Sequence, residues 1–192
     1  EVMTYRSSWG MLTGVRPSKV ATELLQKGFS KTRIRKELSK DYFVIPKKAA
    51  LATEVALCER ALIGTPDKLD CSMYISIPFC PSRCSYCSFV SRTIENSRDL
   101  VQPYVEALCR ELKAIAAQTQ RLGLNLRTVY MGGGTPTSLS AVQLRTVMQC
   151  IKDHFPLENV QEYTVEAGRP DCTDEEKLAV IKELGADRIS IN

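Results

Sequence analysis

Histidine is nearly absent from this chain: His154 is the only one in 192 residues. No second close cysteine pair accompanies the one cysteine cluster, so an ordinary four-ligand zinc site lacks its ligands. No apolar run approaches the roughly 20 residues needed to span a bilayer, and no signal-peptide pattern is visible. Charge of one sign is not in excess: 26 Lys and Arg face 22 Asp and Glu, a net charge of +4. The local basic cluster of Lys31, Arg33, Arg35, Lys36 and Lys40 reads as a solvated helix face, not a nucleic-acid arm. Eight cysteines are too few for a disulfide scaffold. Cys58, Cys71, Cys109, Cys150 and Cys172 are scattered, and Cys109 and Cys150 sit among apolar residues as small core side chains. These absences point to a reducing, cytoplasmic setting with neither membrane nor nucleic acid as partner. Neither end has the look of a natural terminus, so the expectation is a piece of a longer chain.

The period of the hydrophobic pattern changes once. Residues 1–70 read as a small helical segment. Arg16-Pro17-Ser18 opens a helix through Val20, Leu24 and Leu25 that ends at Gly28. Ser30 is the N-cap of a second helix through Ile34 and Leu38. Pro46 starts a third, carrying Ala50, Val55, Leu57 and Leu62 and ending at Gly64. Thr65-Pro-Asp-Lys68 is a turn-rich boundary.

From residue 71 to 192, strands and helices alternate. Strands are expected over residues 73–79, 127–131, 161–167 and 188–192. The helix from Pro103 to Arg121 carries Tyr104, Leu108, Leu112 and Ile115. Ser140-x-x-Gln143 opens a helix through Leu144, Val147, Met148 and Ile151, and Thr173-x-x-Glu176 opens another through Leu178, Ile181 and Leu184. Such alternation implies an α/β fold with parallel strands and right-handed crossovers. The strands are apolar at one parity only. Ile75, Ile77, Tyr163, Val165, Ile189 and Ile191 would pack under helices; Tyr74, Ser76, Thr164, Glu166, Ser190 and Asn192 would face away. That pattern favours a barrel-like sheet around a cavity over a flat sheet with one solvent face. In a barrel the chemistry gathers at the carboxyl ends of the strands, where Cys80, Gly132 and Glu166 fall. Four strands supply only part of a barrel.

Three stretches carry candidate chemistry. Cys80-Pro-Ser-Arg-Cys84-Ser-Tyr-Cys87 places three thiols at C-x3-C-x2-C spacing directly after a strand. The same spacing suits a helix face, but Pro81, two serines and the position after a strand favour a loop. Zinc lacks its fourth ligand, whereas three cysteines on a four-iron cluster would leave one iron open to a substrate or cofactor. Met131-Gly132-Gly133-Gly134-Thr135-Pro136-Thr137 brings bare backbone to a strand end, which suits close approach by a ligand. It matches neither a dinucleotide fingerprint nor a P-loop. Glu166 is a carboxylate on the polar parity, either salt-bridged to Arg169 or Arg188 or holding a ligand hydroxyl or ammonium group.

Taken together, the cysteine motif with Tyr86 before its last cysteine, the Gly132–Thr137 run and Glu166 resemble the radical S-adenosylmethionine enzymes. More narrowly they resemble the oxygen-independent coproporphyrinogen III oxidase group. Trp9-Gly-Met-Leu-Thr-Gly-Val-Arg-Pro17 and Thr164-Val-Glu-Ala-Gly-Arg-Pro170 are similar to its HemZ-type branch. The resemblance implies a partial (βα) radical-SAM barrel over residues 71–192. It implies a 4Fe-4S cluster on Cys80, Cys84 and Cys87, and S-adenosylmethionine held by Tyr74, Tyr86, Gly133, Gly134, Thr135 and Glu166. No catalytic side chain beyond cluster and cofactor is implied. The expected reaction is oxidative decarboxylation of coproporphyrinogen III propionates to vinyl groups, initiated by a 5′-deoxyadenosyl radical. An electron donor such as flavodoxin or ferredoxin would serve it. The better-studied oxidases carry a further cysteine two residues past the last ligand, where this chain has Phe89. The heme-chaperone branch lacks it too, so a heme-binding chaperone of the same fold is the alternative. Residues 1–192 by themselves are expected to be inactive.

Overall fold

Proline or a capping residue starts the helices Pro17–Gln26, Lys31–Asp41, Pro46–Ile63 and Ala141–His154 where the sequence places them. A computed structural model of the chain describes residues 7–12, 14–64 and 67–191. The chain divides into two units, Glu1–Asp67 and Lys68–Asn192. Thr65 and Pro66 of the turn-rich boundary lie outside the described residues, as do Thr13 and Asn192.

The first unit holds α1 (Pro17–Gln26), α2 (Lys31–Asp41) and α3 (Pro46–Ile63). Pro17 and Pro46 open their helices, where a missing N–H costs nothing. The Ser30 side chain caps α2 by accepting from the Arg33 amide at 3.3 Å. Ala21, Leu25, Ile34, Leu38, Val44, Ala49, Ala52 and Ala56 form the core. The buried stripe of α3 is therefore Ala49, Ala52, Thr53 and Ala56, while Val55 and Leu62 are exposed. Small side chains let α1 and α2 approach α3 closely, which turns its larger residues outward. From the basic cluster of α2, Lys31 and Arg35 both pair with Glu54 of α3 at 2.5 and 2.6 Å. Pairs this exposed add little stability.

The second unit runs β1 (Asp70–Ile77), β2 (Phe79–Cys80), β3 (Arg92–Thr93), α4 (Arg98–Arg121), β4 (Asn125–Gly133), α5 (Ala141–His154), β5 (Glu162–Glu166), α6 (Glu175–Glu183) and β6 (Arg188–Ser190). The main sheet has the order β1-β4-β5-β6, with every pair parallel. The strand expected over 73–79 starts earlier, at Asp70, and stops at Ile77. Pro78 has no N–H to donate and ends the ladder. Phe79–Cys80 pairs instead with Arg92–Thr93.

Helices cover one face of this sheet. Ile75, Ile77, Val129, Met131, Tyr163 and Val165 are buried with Leu112, Leu144, Met148, Ile151, Ile181 and Leu184. Tyr74 and Ser76 are exposed, and Tyr130 and Glu166 half-buried, at the opposite parity. Ile189 and Ile191 depart from the expectation, being 40% and 72% exposed. β6 is a three-residue edge strand paired only with β5, so no second neighbour helps to cover them.

Two helix details also differ. α4 begins at Arg98, with Pro103 in its second turn, and its buried face is Val101, Val105, Leu108, Leu112 and Ala116. Ile115 is 42% exposed, one step off that face. Ser140 and Gln143 form the expected reciprocal capping box on α5. On α6, however, the cap is Asp174, which accepts from the Lys177 amide at 2.9 Å. The Thr173 hydroxyl is already engaged with Thr137 Oγ1 at 2.9 Å and with the Ala167 carbonyl. Among the described residues no helix is long and apolar enough to cross a membrane.

The assignment of the α4 face is testable within one helix. Leu112→Ala should lower stability in urea unfolding by roughly 2–5 kcal/mol through a core cavity. Ile115→Ala should change it by about 0.5 kcal/mol or less, as a surface substitution does.

Candidate functional site

Parallel pairing brings the carboxyl ends of β1, β4 and β5 to one edge of the sheet. There the glycine run continues alongside the β1 chain past its break. The Gly134 amide donates to the Ile77 carbonyl at 2.8 Å, and the Thr135 amide donates to the Phe79 carbonyl at 2.8 Å. On the other side, Arg92 N donates to the Pro78 carbonyl at 2.8 Å and Ile94 N to that of Cys80 at 2.9 Å. Cys80 is thus fixed by backbone on both flanks and is buried. Its sulfur accepts from Thr135 Oγ1 at 3.5 Å. The contact leaves no room for a side chain: a Cβ at Gly134 would lie 2.7 Å from the Phe79 carbonyl oxygen and 3.0 Å from Cys80 Sγ. Gly133 adopts φ +104°, and a Cβ there would meet Ser76 Oγ at 2.6 Å.

Residues 81–91 form a loop, not a helix face. Its one turn is closed by the Cys87 amide on the Cys84 carbonyl at 3.1 Å. Cys80, Cys84, Cys87, Tyr86, Gly133, Gly134, Thr135 and Glu166 all line a single cavity of about 180 Å³. This is smaller than the roughly 300–1,000 Å³ typical of sites that engulf a ligand. The cavity is a shallow recess at the carboxyl ends of the strands. Tyr86 stands at its rim, 88% exposed. Tyr74 does not line it; that ring is stacked on its register partner Tyr130, 5.7 Å between centroids at 9°.

Among the described residues, no three His, Cys, Asp or Glu side chains converge as they would on one metal ion. Cys80 Sγ accepts from Thr135 Oγ1 and Cys84 Sγ from an Arg169 N–H, each at 3.5 Å. Zinc needs every ligand about 2.3 Å from one point. A four-iron cluster takes each thiolate on a different iron. Three thiols around one recess, with no histidine beside them, are a donor set that suits such a cluster. His154 lies elsewhere, at the end of α5, bonded through Nδ1 to the Cys150 carbonyl at 2.8 Å. Cys150 is a core thiol, pushed up to about 11 by burial.

Glu166 pairs with neither candidate arginine. Arg169 bonds Asp171 at 2.6 Å, and Arg188 bonds Glu162 at 3.1 Å. Glu166 instead accepts from the Tyr130 hydroxyl at 2.8 Å, and a Cβ at Gly132 would lie 3.0 Å from its carboxyl. One carboxylate oxygen is therefore oriented by a phenol over bare backbone.

Sequence reasoning did not single out Tyr130, Ser82 or Lys177, and it took Arg169 only as a partner for Glu166. Arg169 reaches back to the cysteine loop, with Nη2 on Ser82 Oγ at 2.8 Å. Lys177 Nζ donates to the Thr137 and Cys172 carbonyls at 2.9 and 2.7 Å, tying the loop after β4 to the loop after β5. No local pattern marks these residues, because each acts on a segment distant in sequence.

The Radical SAM superfamily profile matches residues 74–192. Over 189 residues the chain is 41% identical to the oxygen-independent coproporphyrinogen-III oxidase-like protein HemZ of Bacillus subtilis, covering 96% of this chain and 37% of that one. It is 41% identical over 120 residues to the heme chaperone HemW of the same organism, covering 62% and 30%. The solved structure of the Escherichia coli coproporphyrinogen III oxidase HemN, a radical SAM enzyme, aligns with a TM-score of 0.54 at 26% identity. That alignment covers 71% of this chain and 30% of HemN. The chain spans about a third of the length of these relatives.

The bond to Glu166, with the carboxylate charge behind it, raises the Tyr130 phenol above the ordinary tyrosine range. A phenol held protonated in the folded state stabilises it fully below about pH 10, and the contribution is lost as pH rises through the raised value. Glu166→Gln should return the Tyr130 titration toward the ordinary value, read by NMR on labelled tyrosine. An unmoved titration would contradict the pairing.

Proposed function

The chain belongs to the Radical SAM superfamily, and we propose that its recess holds a 4Fe-4S cluster and S-adenosylmethionine for chemistry on a tetrapyrrole. The observation that carries this reading is the single cavity lined by Cys80, Cys84, Cys87, Gly133, Gly134, Thr135 and Glu166. The three cysteines would each take one iron. The bare backbone of Gly133 and Gly134 would lie against the cofactor, and Glu166, oriented by Tyr130, would accept from its polar hydrogens. Thr135 would keep its hydroxyl on the Cys80 sulfur. Tyr86 at the rim and Tyr74 on the open sheet face would border the bound cofactor. When bound, cluster and cofactor supply hydrogen-atom abstraction after a one-electron reduction. The protein's part is to orient the two and exclude water.

The proposed reaction of the whole protein is oxidative decarboxylation of coproporphyrinogen III propionates to vinyl groups, with an electron donor of the flavodoxin or ferredoxin class. Support comes from the identity to a coproporphyrinogen oxidase-like relative over nearly the whole chain and from the likeness to HemN. A second reading, heme delivery on the same fold, is favoured by equal identity to a heme chaperone over a shorter stretch. Phe89, where the better-studied oxidases have a further cysteine, suits it as well.

Anaerobic reconstitution of the full-length protein tests the site. We expect about four irons per chain, as four-iron ligation by cysteine requires, and near-complete loss of that iron in Cys84→Ala. Zinc bound in place of iron, or full iron retention in the variant, would overturn the ligand assignment. The substrate is decided by two parallel titrations. Coproporphyrinogen III with reductant should release carbon dioxide if the oxidase reading holds. Tight stoichiometric heme binding without turnover would favour the chaperone.

A further inference from the structure

We propose that Arg169 is a positioning residue for the cysteine loop: oriented by Asp171, its guanidinium fixes Ser82 and donates to the Cys84 sulfur. The inference rests on the cluster reading above and adds to it how the loop is held.

The guanidinium is saturated. Nε donates to Asp171 Oδ1 at 3.1 Å, and Nη2 donates to Asp171 Oδ2 at 2.6 Å and to Ser82 Oγ at 2.8 Å. Nη1 donates to the Ser82 carbonyl at 3.3 Å and to Cys84 Sγ at 3.5 Å. Guanidinium has five N–H groups in one plane, and these are five contacts. A surface ion pair with Asp171 alone would use two of them. The remaining three all go to a loop 85 or more residues away in sequence.

Within that loop the Tyr86 side chain bonds that of Cys84. Among the described residues, one backbone bond, Cys87 N to Cys84 O, closes within residues 81–91. Arg169 stands three residues beyond Glu166, at the end of β5. The clamp therefore sets the distance between the cysteine loop and the strand that carries the carboxylate. A lysine cannot reproduce it, since an ammonium has three donors and no fork.

An N–H to a cluster thiolate also has an electronic consequence. Reduction adds negative charge to the cluster, and a cationic donor at a ligand sulfur favours the reduced form. Removing the donor should lower the midpoint potential.

The test uses the full-length protein in two states. In the apo form, Arg169→Gln and Arg169→Lys should each speed amide exchange in residues 81–91 roughly tenfold, as expected when a charge-assisted tie is lost. Exchange in β4 should not change. After anaerobic reconstitution, the iron retained against a chelator should fall about tenfold or more in both variants. The midpoint potential should shift negative in Arg169→Gln and recover part of the way in Arg169→Lys, which keeps the charge without the fork. Unchanged loop exchange in both variants would overturn the clamp, and so would a wild-type potential in Arg169→Gln. If the arginine variants open β4 as well, Asp171→Asn decides: faster loop exchange there supports the clamp, and wild-type exchange overturns it. A wild-type protein that takes up no cluster would overturn the cluster reading, while the apo exchange still decides the clamp.

Discussion

Everything at the site depends on a short seam of backbone. Gly133–Thr135 runs beside Ile77–Cys80, and the amides of Gly134 and Thr135 carry the strand pairing past the break at Pro78. Each glycine in the seam has its neighbour too close for a Cβ. Backbone pairing at that range fixes Cys80 through its main chain, and its sulfur accepts from the Thr135 hydroxyl. A proline that ends one ladder and a glycine run that permits another are thus parts of one device.

The rest of the second unit keeps that seam in place. Leu144, Met148 and Ile151 of α5, with Leu112 of α4, bury the apolar parity of β1, β4 and β5. The sheet edge is thereby held from behind, while Tyr74 and Ser76 of the other parity stay exposed. Phe79 meets Tyr104 edge-on at 5.4 Å, and the Tyr104 hydroxyl bonds the Ser76 carbonyl, so α4 grips the strand just before the cysteine loop. Thr137, Thr173 and Lys177 bind the loops after β4 and β5 to each other. The cavity walls from neighbouring strands are thereby joined by side-chain bonds as well as by the sheet.

Elements with a strong local signal were legible in advance. Pro46, Ser30 and the Ser140–Gln143 box act within one helical turn, and their partners are local residues. The α6 cap was not, because Thr173 satisfies its hydroxyl across the loop at Thr137 and leaves the cap to Asp174. The buried face of α3 was misplaced for a related reason. Hydrophobicity favours Val55 and Leu62, but close helix packing selects the alanines. Ile189 and Ile191 show that an alternating pattern states a parity and does not supply a covering layer.

The sequence alone determined the parallel strand–helix alternation and, through its resemblance to a known family, the cysteines, the glycine run and Glu166 that meet in the recess. Periodicity and motif residues are properties of the chain itself. Only the tertiary structure decided what holds those residues. Glu166 is oriented by Tyr130, not by an arginine, and the cysteine loop is tied by Arg169 through Ser82. Tyr74 stands outside the recess, against Tyr130. Such partners lie 36 to 87 residues apart in the chain. Their distances follow from strand register and loop closure, which no local pattern encodes.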